Sequence, residues 1–104
     1  MRTAWHLYVV RTVTGALYAG ITTDVTRRYQ DHMAGGPKAA RFLRANPPKQ
    51  LVLKRRIGAR PLALKVEYWF KQLPKRHKEA IVRAGKLRFD RASGQIQHTR
   101  GTPR

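Results

Sequence analysis

The spacing of apolar and polar residues changes several times along the chain, and each change marks a new structural element. Runs of aromatic and β-branched residues predict strands, whereas apolar residues three or four positions apart predict helices. Glycine and proline residues mark the boundaries, because they form turns and end helices. The predicted elements are strands over residues 5–11 and 16–21, a helix from 25 to about 34, a short basic helix over 37–45, a strand over 49–57, a helix beginning at Pro61 and a last helix over 75–84.

The first two strands form a predicted hairpin that carries two tyrosines. Gly15 lies in the turn between them, where its lack of a side chain permits positive φ. If Arg11 pairs with Gly15, the same register places Tyr8 directly opposite Tyr18, and opposed residues share one face of a sheet. A slip of one residue would separate the two side chains. The predicted pairing of the two tyrosines therefore depends on one particular register of the hairpin.

The helix after the hairpin is predicted to carry an arginine and a histidine along one edge. Asp24 is its predicted N-cap, and Val25, Tyr29 and Met33 form its apolar stripe. Arg28 and His32, one turn apart, fall to one side of that stripe, where the helix meets the sheet. Taken alone, such an arginine is one of many surface cations, and such a histidine is an ordinary surface residue.

The helix that begins at Pro61 has an acidic residue beside its apolar face. Glu67 is one of only five acidic residues in the chain and lies at the margin of the predicted core stripe. It is either a functional carboxylate or the ion-pair partner of Lys71, four positions further along the helix. The stripe itself consists of Leu62, Val66, Trp69 and Leu73.

The charge of the chain indicates the class of its partner. The 104 residues include 23 Lys and Arg against 5 Asp and Glu, a net charge of +18, which attracts a polyanion. Nucleic acid is the first candidate, with DNA favoured over RNA. No apolar run approaches the ~20 residues of a membrane span, so no membrane partner is expected and a cytoplasmic location is predicted. The absence of cysteine excludes disulfides and thiolate zinc sites.

The chain is long enough for one domain, which we place at residues 1–87. Residues 88–104 are polar, basic and without clear periodicity, so they are predicted to form a flexible tail. Nothing in the sequence indicates an assembly larger than a monomer or a weak dimer.

Five residues on three predicted elements occur in a distinctive order, namely Tyr8, Tyr18, Arg28, His32 and Glu67. With their neighbours in Leu7-Tyr8-Val9 and Tyr18-Ala19-Gly20, they resemble the motifs of the GIY-YIG nuclease superfamily. Leu7 and Ala19 depart from the family pattern, and we interpret both as packing changes that leave the tyrosine hydroxyls intact. The resemblance covers residues 4 to 84 and is strongest to small stand-alone, single-domain bacterial members. It implies an α+β fold, with a small three-stranded antiparallel sheet flanked by helices.

The resemblance also implies an activity, the hydrolysis of phosphodiester bonds by a metal-dependent endonuclease. Such chemistry needs an activated water, positive charge at the phosphate and help for the leaving oxygen. The family implies that Tyr8 or Tyr18 activates the water and that Arg28 stabilises the phosphate. It implies His32 as an orienting residue or proton relay. Glu67 is implied as the ligand of Mg²⁺ or Mn²⁺.

Further cations are predicted to hold the phosphate backbone without reading its sequence. Two other functions remain open, a nucleic-acid-binding protein of the same fold without catalysis and a small ribosome-associated protein. The charge supports binding and catalysis equally, so only the tyrosines and the glutamate favour the enzyme. The predicted backbone-binding residues are Arg27, Lys38, Arg41, Arg44, Lys71, Lys75 and Lys78.

Overall fold

The computed structural model describes residues 3–97, and its centre is a three-stranded antiparallel sheet. The strands are β1 (Trp5–Thr12), β2 (Leu17–Thr22) and β3 (Pro48–Gly58), in the order β2-β1-β3. The helices are α1 (Val25–Ala34), α2 (Arg41–Ala45), α3 (Arg60–Gln72) and α4 (Lys75–Ala84). The predicted α+β fold is confirmed. The short basic helix spans only the second half of its predicted range.

The central strand β1 is buried on both faces. Leu7, Tyr8, Val9 and Val10 are each at most 1% exposed. Because successive side chains point to opposite faces, this run contributes to two separate cores. Tyr8 and Val10 pack with residues of α1 and α2, whereas Leu7 and Val9 pack with residues of α3 and α4. The sheet thus lies between two helical layers.

The hairpin register differs from the predicted one. Tyr8 pairs with Gly20, and Tyr18 pairs with Val10, so the two tyrosines are not directly opposite. The cause is the turn, in which Gly15 has φ 87 and donates its N–H to the carbonyl of Thr12 at 3.0 Å. A turn closed in this way makes Gly15 a loop residue that cannot pair with Arg11. The displacement equals two residues, so both tyrosines still share one face.

The buried faces of α1 and α3 also differ from the predicted stripes. On α1, His32 is fully buried, while Met33 is 54% exposed. On α3, the buried residues are Ala63, Val66 and Phe70. In α1 a hydrogen-bonded histidine replaces the predicted methionine in the interior, whereas in α3 Val66 is buried as predicted and Leu62 and Leu73 are partly buried against the core.

The segment after α4 packs against the α3 side of the sheet. Leu87 and Phe89 are buried there, and Ile96 pairs with Phe89 in an isolated bridge and packs beside them. The segment predicted to form a flexible tail from residue 88 thus includes Phe89 and Ile96, which pack against the core because two apolar residues joined by a turn can bury each other. Residues 98–104 lie outside the described part, and the division of the chain at residue 87 stays a prediction. Within residues 3–97 no helix combines the length and apolar character of a membrane span.

Candidate active site

The two tyrosines lie on the face of the sheet that α1 and α2 cover. Their ring centroids are 6.4 Å apart, and both rings contact the imidazole of His32, with centroids at 5.8 Å from Tyr8 and 5.7 Å from Tyr18. Tyr8 is 1% exposed, whereas Tyr18, on the edge strand β2, is half-buried. The structure therefore brings the two tyrosines and the histidine together, although the register that first suggested the pair is wrong.

The buried imidazole of His32 has a hydrogen bond at each nitrogen. The backbone N–H of Ala40 donates to Nδ1 at 3.1 Å, so Nδ1 carries no hydrogen. Burial, followed by the charge of Arg28, lowers the pKa of His32 and keeps the ring neutral. The single ring hydrogen therefore resides on Nε2, which donates to the hydroxyl oxygen of Tyr8 at 2.8 Å.

This tautomer limits what His32 can do. Nε2 already carries the hydrogen, so the neutral ring cannot take the phenolic proton of Tyr8 through that atom. Nδ1 is held by the N–H of Ala40. The ring orients the Tyr8 oxygen as an acceptor and leaves the phenolic hydrogen of Tyr8 for another partner. The arrangement supports positioning rather than a relay through His32.

The neutral state of His32 makes stability depend on pH. The unfolded chain binds a proton at this histidine below about pH 6.5, whereas the folded chain, with its lowered pKa, does not. We expect the free energy of unfolding to fall as the pH drops below about 6.5, until the folded pKa is reached. Urea unfolding at several pH values measures this slope. In His32→Gln the slope should shrink, and an unchanged slope would assign it to other groups.

The hydroxyl of Tyr8 is hard to ionise in the protein alone. Burial raises its pKa, the neighbouring Tyr18 raises it further, and the guanidinium of Arg28 opposes both. Tyr8 is therefore a neutral phenol near pH 7. The nearby positive charge of Arg28 and the hydrogen bond from His32 are the features of this chain that favour the ionised form.

Tyr8 lies against the backbone of β2, and Gly20 provides the space. A Cβ added at Gly20 would lie 2.5 Å from the hydroxyl oxygen of Tyr8. We expect Gly20→Ala to displace Tyr8 and to lower the free energy of unfolding by about 1–3 kcal/mol, the usual cost of overpacking. Urea unfolding measures the loss. Gly36→Ala is the matched control, since nothing lies within 4 Å of its Cβ position, and an equal loss in both variants would contradict the explanation.

Arg28 is anchored to the segment between α1 and α2. Its Nη1 donates to the carbonyl of Lys38 at 2.6 Å and lies 3.9 Å from the carboxylate of Asp31. The side chain is one-third exposed, at 33%. A guanidinium has five N–H donors, so this anchor leaves others available for a phosphate. The same segment holds His32 through Ala40, so it positions two candidate residues at once.

Glu67 reaches the site through a lysine. Its carboxylate is 3.3 Å from the ammonium of Lys71, and that ammonium lies 6.0 Å from the ring centroid of Tyr18. Glu67 is 19% exposed and Lys71 is 49% exposed. The ion pair between these two residues, which the sequence offered as the alternative to a functional carboxylate, is thus present. Lys71 thus links the carboxylate to the second tyrosine.

A divalent ion would have one protein carboxylate here. Within residues 3–97 no group of three or more His, Asp or Glu side chains could hold a metal. Mg²⁺ and Mn²⁺ prefer oxygen ligands, and Mg²⁺ often takes one carboxylate together with water and substrate phosphates. Glu67 fits that role, provided that the exposed Lys71 releases it.

Several predicted phosphate-binding residues border this site. Arg27 and Lys38 line an open cleft with Arg28, and the cleft lies beside helix α1. Arg41 and Arg44 are exposed on α2. All of these cations are accessible to a polyanion.

The predicted cations of α3 and α4 are more constrained. Lys71 contacts Glu67 and Tyr18, as described above. Lys75 donates to the carbonyl of Gly15 at 3.0 Å, and Lys78 is half-buried with its ammonium 6.0 Å from the ring centroid of Phe70. Lys75 and Lys78 therefore stabilise the fold as well as contributing charge.

Phe42 is a candidate that the sequence did not reveal. Its ring is 43% exposed and is stacked on Tyr18, with centroids 6.1 Å apart and planes at 14°. Exposed aromatic rings among cations are typical of nucleic-acid surfaces. The available signal was an apolar residue between Arg41 and Arg44 on a basic helix. The N–H of Ala40, by contrast, has no sequence signal at all.

Comparison with known proteins identifies the family. The sequence profile described as the GIY-YIG catalytic domain matches residues 4–80. The chain belongs to the GIY-YIG family. This assignment confirms the resemblance indicated by the ordered tyrosine, arginine, histidine and glutamate residues.

The relatives of this GIY-YIG chain include small bacterial proteins. The UPF0213 protein of Citrobacter koseri is 48% identical over 83 residues, which cover 80% of this chain and 81% of the relative. The UPF0213 protein YhbQ of Escherichia coli is 51% identical over 83 residues, with the same coverage of 80% and 81%. The solution NMR structure of the UPF0213 protein BH0048 from Bacillus halodurans is 34% identical, covers 77% of this chain and 83% of that one, and has a TM-score of 0.49. These names assign the relatives to a numbered protein family and do not state an activity.

Proposed function

We propose that the protein is a metal-dependent endonuclease that hydrolyses phosphodiester bonds. DNA is the favoured substrate, and RNA is the alternative. One observation carries the proposal. Residues from β1, β2, α1 and α3 converge at the β2 edge of the sheet, linked by the contacts of Tyr8 with His32, of Tyr18 with Lys71, and of Lys71 with Glu67. The family assignment and the net charge of +18 support the same activity and substrate class.

In this proposal each side chain has one task. The guanidinium of Arg28, held by the carbonyl of Lys38, binds the phosphate and stabilises the negative charge that grows on its oxygens. Tyr8, once it has lost its phenolic proton to solvent, accepts a proton from the attacking water, since its oxygen is fixed by His32 and faces the charge of Arg28. His32 remains neutral throughout and holds that oxygen in place.

The remaining tasks belong to α3 and β2. Glu67 would hold Mg²⁺ or Mn²⁺, which when bound supplies positive charge near the leaving oxygen. Lys71 neutralises Glu67 in the protein alone and can transfer to a phosphate when the carboxylate is needed elsewhere. Tyr18 closes the site on the side of β2 and orients the substrate. We place this activity in the cytoplasm, where bacterial nucleic acid is found.

Two specific observations favour a second function. The pKa of Tyr8 is raised and Glu67 is paired with Lys71, which would also suit a nucleic-acid-binding protein that does not catalyse. A cleavage assay separates the two. Single-stranded, duplex and branched DNA and RNA are incubated with Mg²⁺ or Mn²⁺, with EDTA as the control. Metal-dependent products support the endonuclease, whereas salt-dependent binding without products on any substrate supports the binding protein.

A further inference from the structure

A second basic cleft lies on the far side of the N-terminus of α1 from Arg28. It is lined by His6, Lys54 and Arg56, together with residues of the turn that leads into α1. Thr23 and Asp24 line both this cleft and the one that contains Arg28, so the two clefts meet there. None of its three basic residues was among the phosphate-binding residues predicted from the sequence.

The sheet places these three basic residues on the same face as the candidate catalytic tyrosine. His6 pairs with Arg56 across β1 and β3, and Tyr8 pairs with Lys54. Paired residues share a face, so His6, Lys54 and Arg56 continue the face of Tyr8 towards the edge strand β3. Adjacent strands are about 5 Å apart, so Lys54 belongs to the neighbourhood of Tyr8 rather than to a distant surface.

The two cations of this cleft lack partners among the residues that the structure describes. Lys54 and Arg56 are exposed, and within residues 3–97 neither side chain forms a hydrogen bond or an ion pair. Arg55, between them, points to the other face and is used structurally, with its Nε donating to the carbonyl of Leu87. The two cations that face the cleft are therefore available to a ligand.

His6 gives independent evidence for a ligand in this cleft. Its Nδ1 is buried and has no hydrogen-bond partner within the described residues. A buried polar atom without a partner is costly, and in native proteins it usually indicates a water or a ligand group that completes the hydrogen bond. The carboxylate of Asp24, which also lines the cleft, already accepts from the backbone N–H of Arg27 at 3.1 Å.

We propose that this cleft is a second phosphate site, which binds the nucleic-acid backbone one or a few nucleotides from the bond that is cut. The inference rests on the proposed function, since a strand held at Arg28 can pass Arg27 and Thr23 to reach it. The ligand is a backbone phosphodiester, held by Lys54 and Arg56 and hydrogen-bonded by His6. The site gives affinity and fixes the direction of the strand, without reading bases.

The test compares two double variants that remove the same charge. Lys54→Gln/Arg56→Gln removes both cations from the cleft, whereas Lys86→Gln/Arg88→Gln removes two exposed cations from the segment after α4. Binding of a fluorescent single-stranded 12-nucleotide DNA is measured without divalent metal over a range of salt concentrations. We expect the first variant to bind about 10-fold more weakly, with a salt slope smaller by about 1.4, and the control to change less than about 3-fold. Equal losses in both variants would overturn the proposal.

A second measurement follows the histidine itself. The ring nitrogens of His6 are observed by ¹H–¹⁵N correlation NMR while the same DNA is added, again without metal. A shift of Nδ1 that is absent in Lys54→Gln/Arg56→Gln supports the site, and an unshifted Nδ1 at saturation contradicts it. Because neither experiment needs cleavage, a failure of the second phosphate site is distinguishable from a failure of the endonuclease proposal.

Discussion

Glu67→Gln is expected to abolish metal-dependent cleavage while leaving nucleic-acid binding almost unchanged. The substitution preserves the size of the side chain but removes the carboxylate that would hold the ion. A bound metal contributes several kcal/mol to stabilising the transition state, and 1.36 kcal/mol corresponds to a factor of ten, so the rate should fall by at least about 10³. Binding should persist, because Glu67 contributes no positive charge and its loss releases Lys71 for phosphates.

The matched control for this experiment is Glu79→Gln. Glu79 is also a helical glutamate paired with a cation, since it forms two hydrogen bonds with Arg11, at 2.9 and 2.7 Å. It belongs to α4 and to no part of the candidate site. Cleavage kinetics and salt-dependent binding are measured for both variants. Retained cleavage in Glu67→Gln, or an equal loss in Glu79→Gln, would exclude the assigned role of Glu67.

Tyr8→Phe is expected to reduce cleavage by about 10²–10⁴, the usual contribution of a general base. The variant keeps the ring that fills the core and removes the oxygen that accepts from His32. The raised pKa of Tyr8 predicts a further signature, because only the ionised phenol can accept a proton. The parent rate should rise about tenfold per pH unit above neutrality, and this dependence should flatten in the variant.

Tyr18→Phe is the comparison that decides between the two tyrosines. Tyr18 is half-buried, stacks on Phe42, and contacts His32 only through its ring. Removal of the Tyr18 hydroxyl should reduce the cleavage rate much less than removal of the Tyr8 hydroxyl. The pH dependence of the rate should remain. A larger loss in Tyr18→Phe would transfer the role of base to Tyr18. Urea unfolding separates this effect from stability, since Tyr8→Phe leaves the buried Nε2–H of His32 without its partner, at a cost of about 1–3 kcal/mol.

The buried histidine marks the limit of what helical periodicity can predict. The local sequence of α1 correctly predicts its N-cap at Asp24 and its end at about residue 34, because caps depend on neighbouring residues. The spacing of its apolar residues assigns Met33 to the interior and leaves His32 at the edge. The structure reverses this, because the N–H of Ala40 and the hydroxyl of Tyr8 satisfy both ring nitrogens. Neither partner is adjacent to His32 in the chain.

The hairpin also combines features that the local sequence predicts with a register that it does not. Two strands joined at a turn with Gly15 are predictable from composition. The register depends on which residue occupies the left-handed position of the turn, and a single residue of difference in the turn changes every pair. The tyrosines nevertheless share a face, because the actual displacement is even. Their common face is thus correct, although the predicted direct pairing across the two strands is wrong.

The sequence by itself determined the family, the order of the elements and the types of residue at the site. Those properties are encoded locally, in caps, turns, strand runs and the ordered set from Tyr8 to Glu67. Only the tertiary structure decided how these residues act, namely the tautomer of His32, the contact of Lys71 with Tyr18, and the second basic cleft. Those features depend on hydrogen bonds and charges between residues distant in the chain, which local patterns do not encode.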